Sequence, residues 1–171
     1  MAKFQIGPWV DLNSCVTARV GSAANAGGRL SDKDIGKIMT FAADSRYALA
    51  AEDAAIEGFL IALEPATQDG FSIGTIQVKG RVAAVCDGLE ATNGTGTIAV
   101  GDYVVCSAPV AHDTALTIAG PKVCKATYQP GADITNVNQS AELMKVVMAP
   151  WRVVALGDAG AVGDTCIIER V

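Results

Sequence analysis

From Asp32 onward the chain alternates short apolar, β-branched runs with clusters of glycine, proline, asparagine and aspartate. The runs predict strands at Gly36–Ala42, Arg46–Leu49, Gly58–Leu63, Ser72–Val78, Arg81–Cys86, Thr97–Val100 and Tyr103–Ser107. Further strands are predicted at Ala115–Ile118, Val123–Tyr128, Leu143–Met148, Trp151–Leu156 and Thr165–Val171. Between them stand Asp69-Gly70, Lys79-Gly80, Asp87-Gly88, Asn93-Gly94, Gly120-Pro121, Pro130-Gly131 and Gly157-Asp158. Asn-Gly and Asp-Gly favour the positive φ that tight turns need. Short strands at even spacing predict an all-β body, a compact β-barrel or β-sandwich, with no βαβ alternation. Helical expectation is confined to Ala50–Ile56 and Ile134–Leu143.

Residues 1–31 read differently, and we divide the chain into an N-terminal arm (1–31) and a β-rich body (32–171). The stretch Val20–Arg29 is small, polar and glycine-rich and has too little apolar surface to offset its ordering entropy unaided. Ahead of it, Phe4, Ile6, Pro8-Trp9-Val10 and Cys15-Val16 carry apolar groups that a solvated tail does not need. Two readings stay open. The arm docks on another surface, or it is an edge strand folded back on its own body.

A small echo recurs in Val100-Gly101-Asp102 and Val162-Gly163-Asp164, each opening a β run. Glycine takes the turn position and the aspartate caps nearby backbone N–H groups. The echo is too short to be an internal duplication.

Composition narrows the function classes. Half of the 171 residues are apolar, aromatics are 5% and charged residues 18%, with a net charge of −5. A nucleic-acid groove needs concentrated Lys and Arg, so no nucleic-acid partner is expected. Aromatics are too few for a stacking platform. No run approaches the length of a membrane span, so no membrane partner is expected. The N-terminus has no charged region followed by an apolar run, so synthesis in a cytoplasm is expected. The cysteines (Cys15, Cys86, Cys106, Cys124, Cys166) form no C-x-x-C pair, and four lie in strand-like runs. They read as small core hydrophobes, and their odd number suits a reducing compartment.

Candidate chemistry is sparse, and neither enzyme activity, a cofactor nor a metal is expected. His112, the single histidine, adjoins Asp113 but lacks the further histidines of a metal hydrolase, and it reads as an exposed loop residue. Gly94-Thr95-Gly96 and Gly36-Lys37 lack the Lys-Ser/Thr ending of a phosphate loop and read as turns. Glu52, Asp53 and Glu57 read as a solvated patch, and Ser14-Cys15 has no base beside it. Trp151, after Pro150, reads as core. Trp9, after Pro8, reads as an anchor for a partner, since aromatic side chains dominate interface energetics.

The run Asp34-Ile35-Gly36-Lys37-Ile38-Met39-Thr40-Phe41-Ala42-Ala43-Asp44-Ser45-Arg46-Tyr47 leads into Ala51–Leu60, with Glu57-Gly58-Phe59, and then Asp69-Gly70-Phe71-Ser72-Ile73-Gly74-Thr75-Ile76-Gln77. This order, with Trp151-Arg152-Val153-Val154 and Gly160–Val171 at the end, resembles capsid decoration (cement) proteins of tailed bacteriophages, including small β-rich cement proteins of cyanobacterial phages. The resemblance covers about residues 32–106 and 145–171, and 127–142 falls outside it. It implies a small β domain, a homotrimer on the outer capsid surface at junctions between major capsid proteins, and no catalytic residue. The expectation is therefore a virion structural protein whose partners are the major capsid protein and itself. Phe4, Ile6, Trp9 and Val10 are the expected capsid or inter-protomer contacts. The alternatives are a β-barrel tail or baseplate component and a small ligand-binding barrel.

Overall fold

A computed structural model describes residues 14–21, 29–42, 46–64, 72–90, 92–118 and 120–171. The first five strands are β1 (Cys15–Gly21), β2 (Ile38–Ala42), β3 (Arg46–Leu49), β4 (Gly58–Glu64) and β5 (Ser72–Gln77). They close into a barrel in the order β1-β3-β2-β4-β5, with β5 returning antiparallel to β1. The second half supplies β6 (Arg81–Leu89), β7 (Thr92–Asn93), β8 (Val104–Cys106), β9 (Lys122–Lys125), the helix α1 (Val137–Met148), β10 (Trp151–Leu156) and β11 (Thr165–Arg170). These strands form a sheet ordered β10-β11-β6-β9-β8, with β7 paired to β6. A bridge between Tyr103 and Arg152 joins the two ends of that order, so the sheet curls towards closure. The all-β expectation holds.

A five-stranded barrel is narrow and its interior is filled by side chains. Val20, Leu30, Met39, Leu60 and Ile76 fill it. Gly74 faces the same interior, where a Cβ would lie 2.7 Å from Leu60 Cδ1 and 2.9 Å from Val20 Cγ1. Successive strand residues point to opposite faces, so Ile38 and Phe59 turn outward while their neighbours Met39 and Leu60 turn inward. The outward pair joins Cys86, Val104, Val123, Val153, Cys166 and Ile168 in a second core around Trp151. The Phe59 and Trp151 rings meet edge to face at 5.0 Å. Burial on both faces explains why these strands read as unbroken apolar runs. Val105, Cys124 and Ala126 turn away from the second core and are covered by Val146 of α1.

Several sequence expectations are corrected. Cys15–Gly21, placed with the arm, follows the second of the two readings and folds back on the body, but as a wall strand paired on both sides, parallel to β3 and antiparallel to β5, and not at an edge. Leu30 is buried in the barrel core, and its N–H donates to Ser72 Oγ at 3.2 Å. Leu143–Met148, read as a strand, is the second half of α1. Asn136 caps that helix by accepting from the N–H groups of Asn138 and Gln139, both at 3.1 Å. Ala50–Ile56, read as helical, is a turn and extended chain, and Thr97–Val100 and Ala115–Ile118 are loops. Asp87-Gly88, read as a turn, lies inside β6, where the register against β9 slips between Cys86 and Leu89. A bulge, like a turn, uses glycine at positive φ, so the sequence signal is shared.

The Val-Gly-Asp echo is one turn built twice. In Ala99–Asp102 the Asp102 N–H donates to Ala99 O at 3.1 Å, and its carboxylate accepts from the Ala99 N–H at 2.8 Å. In Ala161–Asp164 the same bonds measure 3.0 and 2.9 Å. Gly101 and Gly163 sit at φ of 96° and 95°, the third position of a type II turn. Val100 and Val162 at the second position are left exposed.

Candidate functional site

The expected contact residues Phe4, Ile6, Trp9 and Val10 lie outside the described residues. The structure instead exposes polar clusters that bind loops to the two β units, and an apolar face on α1.

The first cluster centres on Asp34, whose carboxylate is 0% exposed. Asp34 begins a turn ahead of β2, and Lys37 ends it three residues later. Lys37 Nζ donates to Asp34 Oδ1 at 2.6 Å and to the carbonyl of Ala111 at 2.7 Å. The N–H groups of Ser31 and Asp113 donate to the two carboxylate oxygens at 2.8 and 3.0 Å. Burial pushes this carboxyl up, but the Lys37 hydrogen bond, the two backbone bonds and the Lys37 charge together bring it below its ordinary value. His112 is not the exposed loop residue expected, because its Nε2 lies 3.4 Å from Asp34 Oδ2 and its side chain is only 23% exposed. The cluster thus ties the segment 107–118 to the barrel. Ser31 and Lys37 lie three residues either side of Asp34, but Ala111, His112 and Asp113 come from a distant segment, so no local motif marks the whole cluster.

A second carboxylate is built alike. Asp87, at the bulge of β6, accepts from Ser107 Oγ at 2.6 Å and from Lys122 Nζ at 3.1 Å. Lys37 and Lys122 both border a cavity of about 20 Å³, which Cys106, Val110 and Leu116 also line. That volume is water-sized.

A third group fastens α1. Lys145 pairs with Glu90 at 3.3 Å and with Glu142, while the other Glu90 oxygen accepts from the Thr127 N–H at 2.6 Å. Asp53 stands close enough to feel these charges. Burial first, then Glu90 and Glu52, raise its carboxyl above the ordinary value, and its Oδ1 is buried. Asp53 is therefore half-buried where the patch reading expected solvation, while its neighbour Glu52 is exposed.

Among the described residues, no three His, Cys, Asp or Glu side chains are placed to hold a metal ion. No described helix is long and apolar enough to cross a membrane. Cys86, Cys106, Cys124 and Cys166 are buried free thiols, and burial pushes Cys106, Cys124 and Cys166 up to about 12.

The helix α1 is apolar on opposite sides. Leu143 and Val146 pack inward against Tyr103 and the outer faces of β8 and β9. Val137, Met144, Val147 and Met148 are exposed, Val137 by 81% and Met148 by 67%. With Ala141, the sequence spacing of Val137, Met144 and Met148 lines one helix face. A helix that serves only its own fold has one apolar stripe. This second stripe also explains the misread strand, since inward and outward groups together give Leu143–Met148 a nearly continuous apolar run.

No protein-family model, curated protein or solved structure matches the chain.

Proposed function

We propose that this chain is a virion structural protein that binds the outer surface of a phage capsid as a decoration protein, bridging major capsid proteins as a homotrimer. The resemblance of residues 32–106 and 145–171 to phage cement proteins supports this reading. The observation in the fold that carries it furthest is the display of aliphatic side chains on fixed β-turns: Ile35, Val100 and Val162 are all exposed at turn tips. Held by backbone and carboxylate bonds, such groups are ordered before contact, so association costs them little further entropy. A cement protein acts by binding the assembled shell in preference to its parts, which stabilises the shell by mass action.

The test mixes purified protein with undecorated shells and measures co-sedimentation and the temperature at which shells open. Saturable binding with a raised opening temperature is expected, and Val100→Asp with Val162→Asp is expected to weaken it at least tenfold. Absence of binding by the folded wild-type chain overturns the reading. Copy number per purified particle separates decoration, with hundreds per virion, from a tail or baseplate role.

A further inference from the structure

The segment 107–118 leads from β8 towards β9 over the seam between the barrel and the second sheet, with no strand or helix of its own. Long connections without such structure are commonly lids or binding loops. Its start is fixed to β6, because Ser107 Oγ donates to Asp87 Oδ2 at 2.6 Å. Beyond its end, the Pro121 carbonyl accepts from the Val85 N–H at 3.0 Å. Its middle is held to the barrel chiefly through one carboxylate. Asp34 accepts from the Asp113 N–H at 3.0 Å and stands 3.4 Å from His112 Nε2. It also fixes the Lys37 ammonium, which donates to the Ala111 carbonyl. Under this span Val110 and Leu116 close the water-sized cavity over Ile38, Leu49 and Cys106.

The charges around Asp34 balance only while it is ionised. Lys37 faces it from its own turn, where Lys33 pairs with Asp113 and Asp32 is exposed. His112 and Asp113 face it from the segment, and across the cavity Lys122 is paired with Asp87. A neutral Asp34 leaves Lys33, Lys37 and, in acid, a cationic His112 against the surface carboxylate of Asp113. Lys37, 4% exposed, then lacks its counter-charge, and water reaches the ammonium when the segment lifts. We propose that segment 107–118 is an acid-released strap, whose middle leaves the barrel when Asp34 takes up a proton and opens the seam down to Cys106. Because Asp34 titrates below its ordinary value, the strap stays shut through neutral and mildly acidic solution and lets go as pH falls through that lowered value. The inference goes beyond the decoration reading and does not rest on it.

The test labels the full chain, without shells, with 4,4′-dithiodipyridine, which modifies thiols in acid as well as at neutral pH. Mass spectrometry locates the adducts, and circular dichroism follows the β signal. Measured against half-buried Cys15 in the same sample, Cys106 is expected to react about tenfold faster at pH 3 than at pH 7 while the β signal persists. It should do so ahead of Cys86, Cys124 and Cys166, which the strap does not cover. Simultaneous labelling of all four buried thiols, or no change at Cys106 across this range, overturns the proposal. Asp34→Asn with Lys37→Met then replaces the ion pair by neutral groups of similar volume. In that variant Cys106 should label alike at pH 3 and pH 7. An acid response that persists there, carried by Asp87 or elsewhere, also overturns it. Should the double variant fail to fold, the wild-type titration decides by itself.

Discussion

A lysine sealed beside a carboxylate holds the fold together only while both groups keep their charge. Asp34 titrates below its ordinary value in the folded chain, so its contribution is complete above the unfolded value of about 3.9 and is lost as pH falls through the folded pKa. Denaturant titrations should therefore show stability falling below about pH 4. Asp34→Asn should remove that slope and cost about 3–5 kcal/mol at pH 7, since it leaves Lys37 buried without its counter-charge. A variant that keeps the acid slope would show that another carboxylate carries it. The thiols give a second residue-scale expectation. Only half-buried Cys15 should react with Ellman's reagent at pH 8 in the native chain, and all five cysteines in denaturant. The burial of Cys86, Cys106, Cys124 and Cys166 was legible from their apolar neighbours. The Asp34 cluster was not, because its meaning depends on Ala111, His112 and Asp113, which only the fold brings to it.

Among the elements, the strands were the most legible, because two-residue alternation and runs buried on both faces both register as β. The twin turns were legible too, through Gly101 and Gly163 followed by a capping aspartate. They are not equal in strength, since Asp102 also pairs with Lys125 Nζ at 2.9 Å. Asp164→Ala should cost about 0.5–1.5 kcal/mol, the worth of one hydrogen bond. Asp102→Ala should cost more, and only part of the excess should be lost at 1 M salt, because the pair is half-buried and salt screens it less than an exposed one. Equal losses in urea titrations would show the Lys125 pair to be neutral. The misread elements share a cause. In α1, outward Met144, Val147 and Met148 mask the helical period, and in β1 the glycine-rich sequence that follows hides a strand whose partners lie in β3 and β5.

At the scale of the molecule, two β units share one boundary core, and the barrel needs its first strand. Removing residues 2–13 should leave the unfolding temperature within a few degrees of the full chain, whereas removal through Gly21 deletes β1 and opens the barrel. Circular dichroism melts of the two truncations test this, and an intact cooperative melt without β1 would contradict the barrel. The order of pairing also has a consequence for synthesis. All five barrel strands precede β6, so every strand the barrel needs is made before the second half, and closure ahead of that half is the expected order. The second sheet must wait, because β6 lies between β9 and β11 and its core needs Trp151. Until β11 is released, Ile38 and Phe59 on the finished barrel face water beside a β6 that has only β7 as a partner. A nascent chain in that state is open to aggregation and to chaperone capture, and slow translation beyond residue 90 would lengthen its exposure.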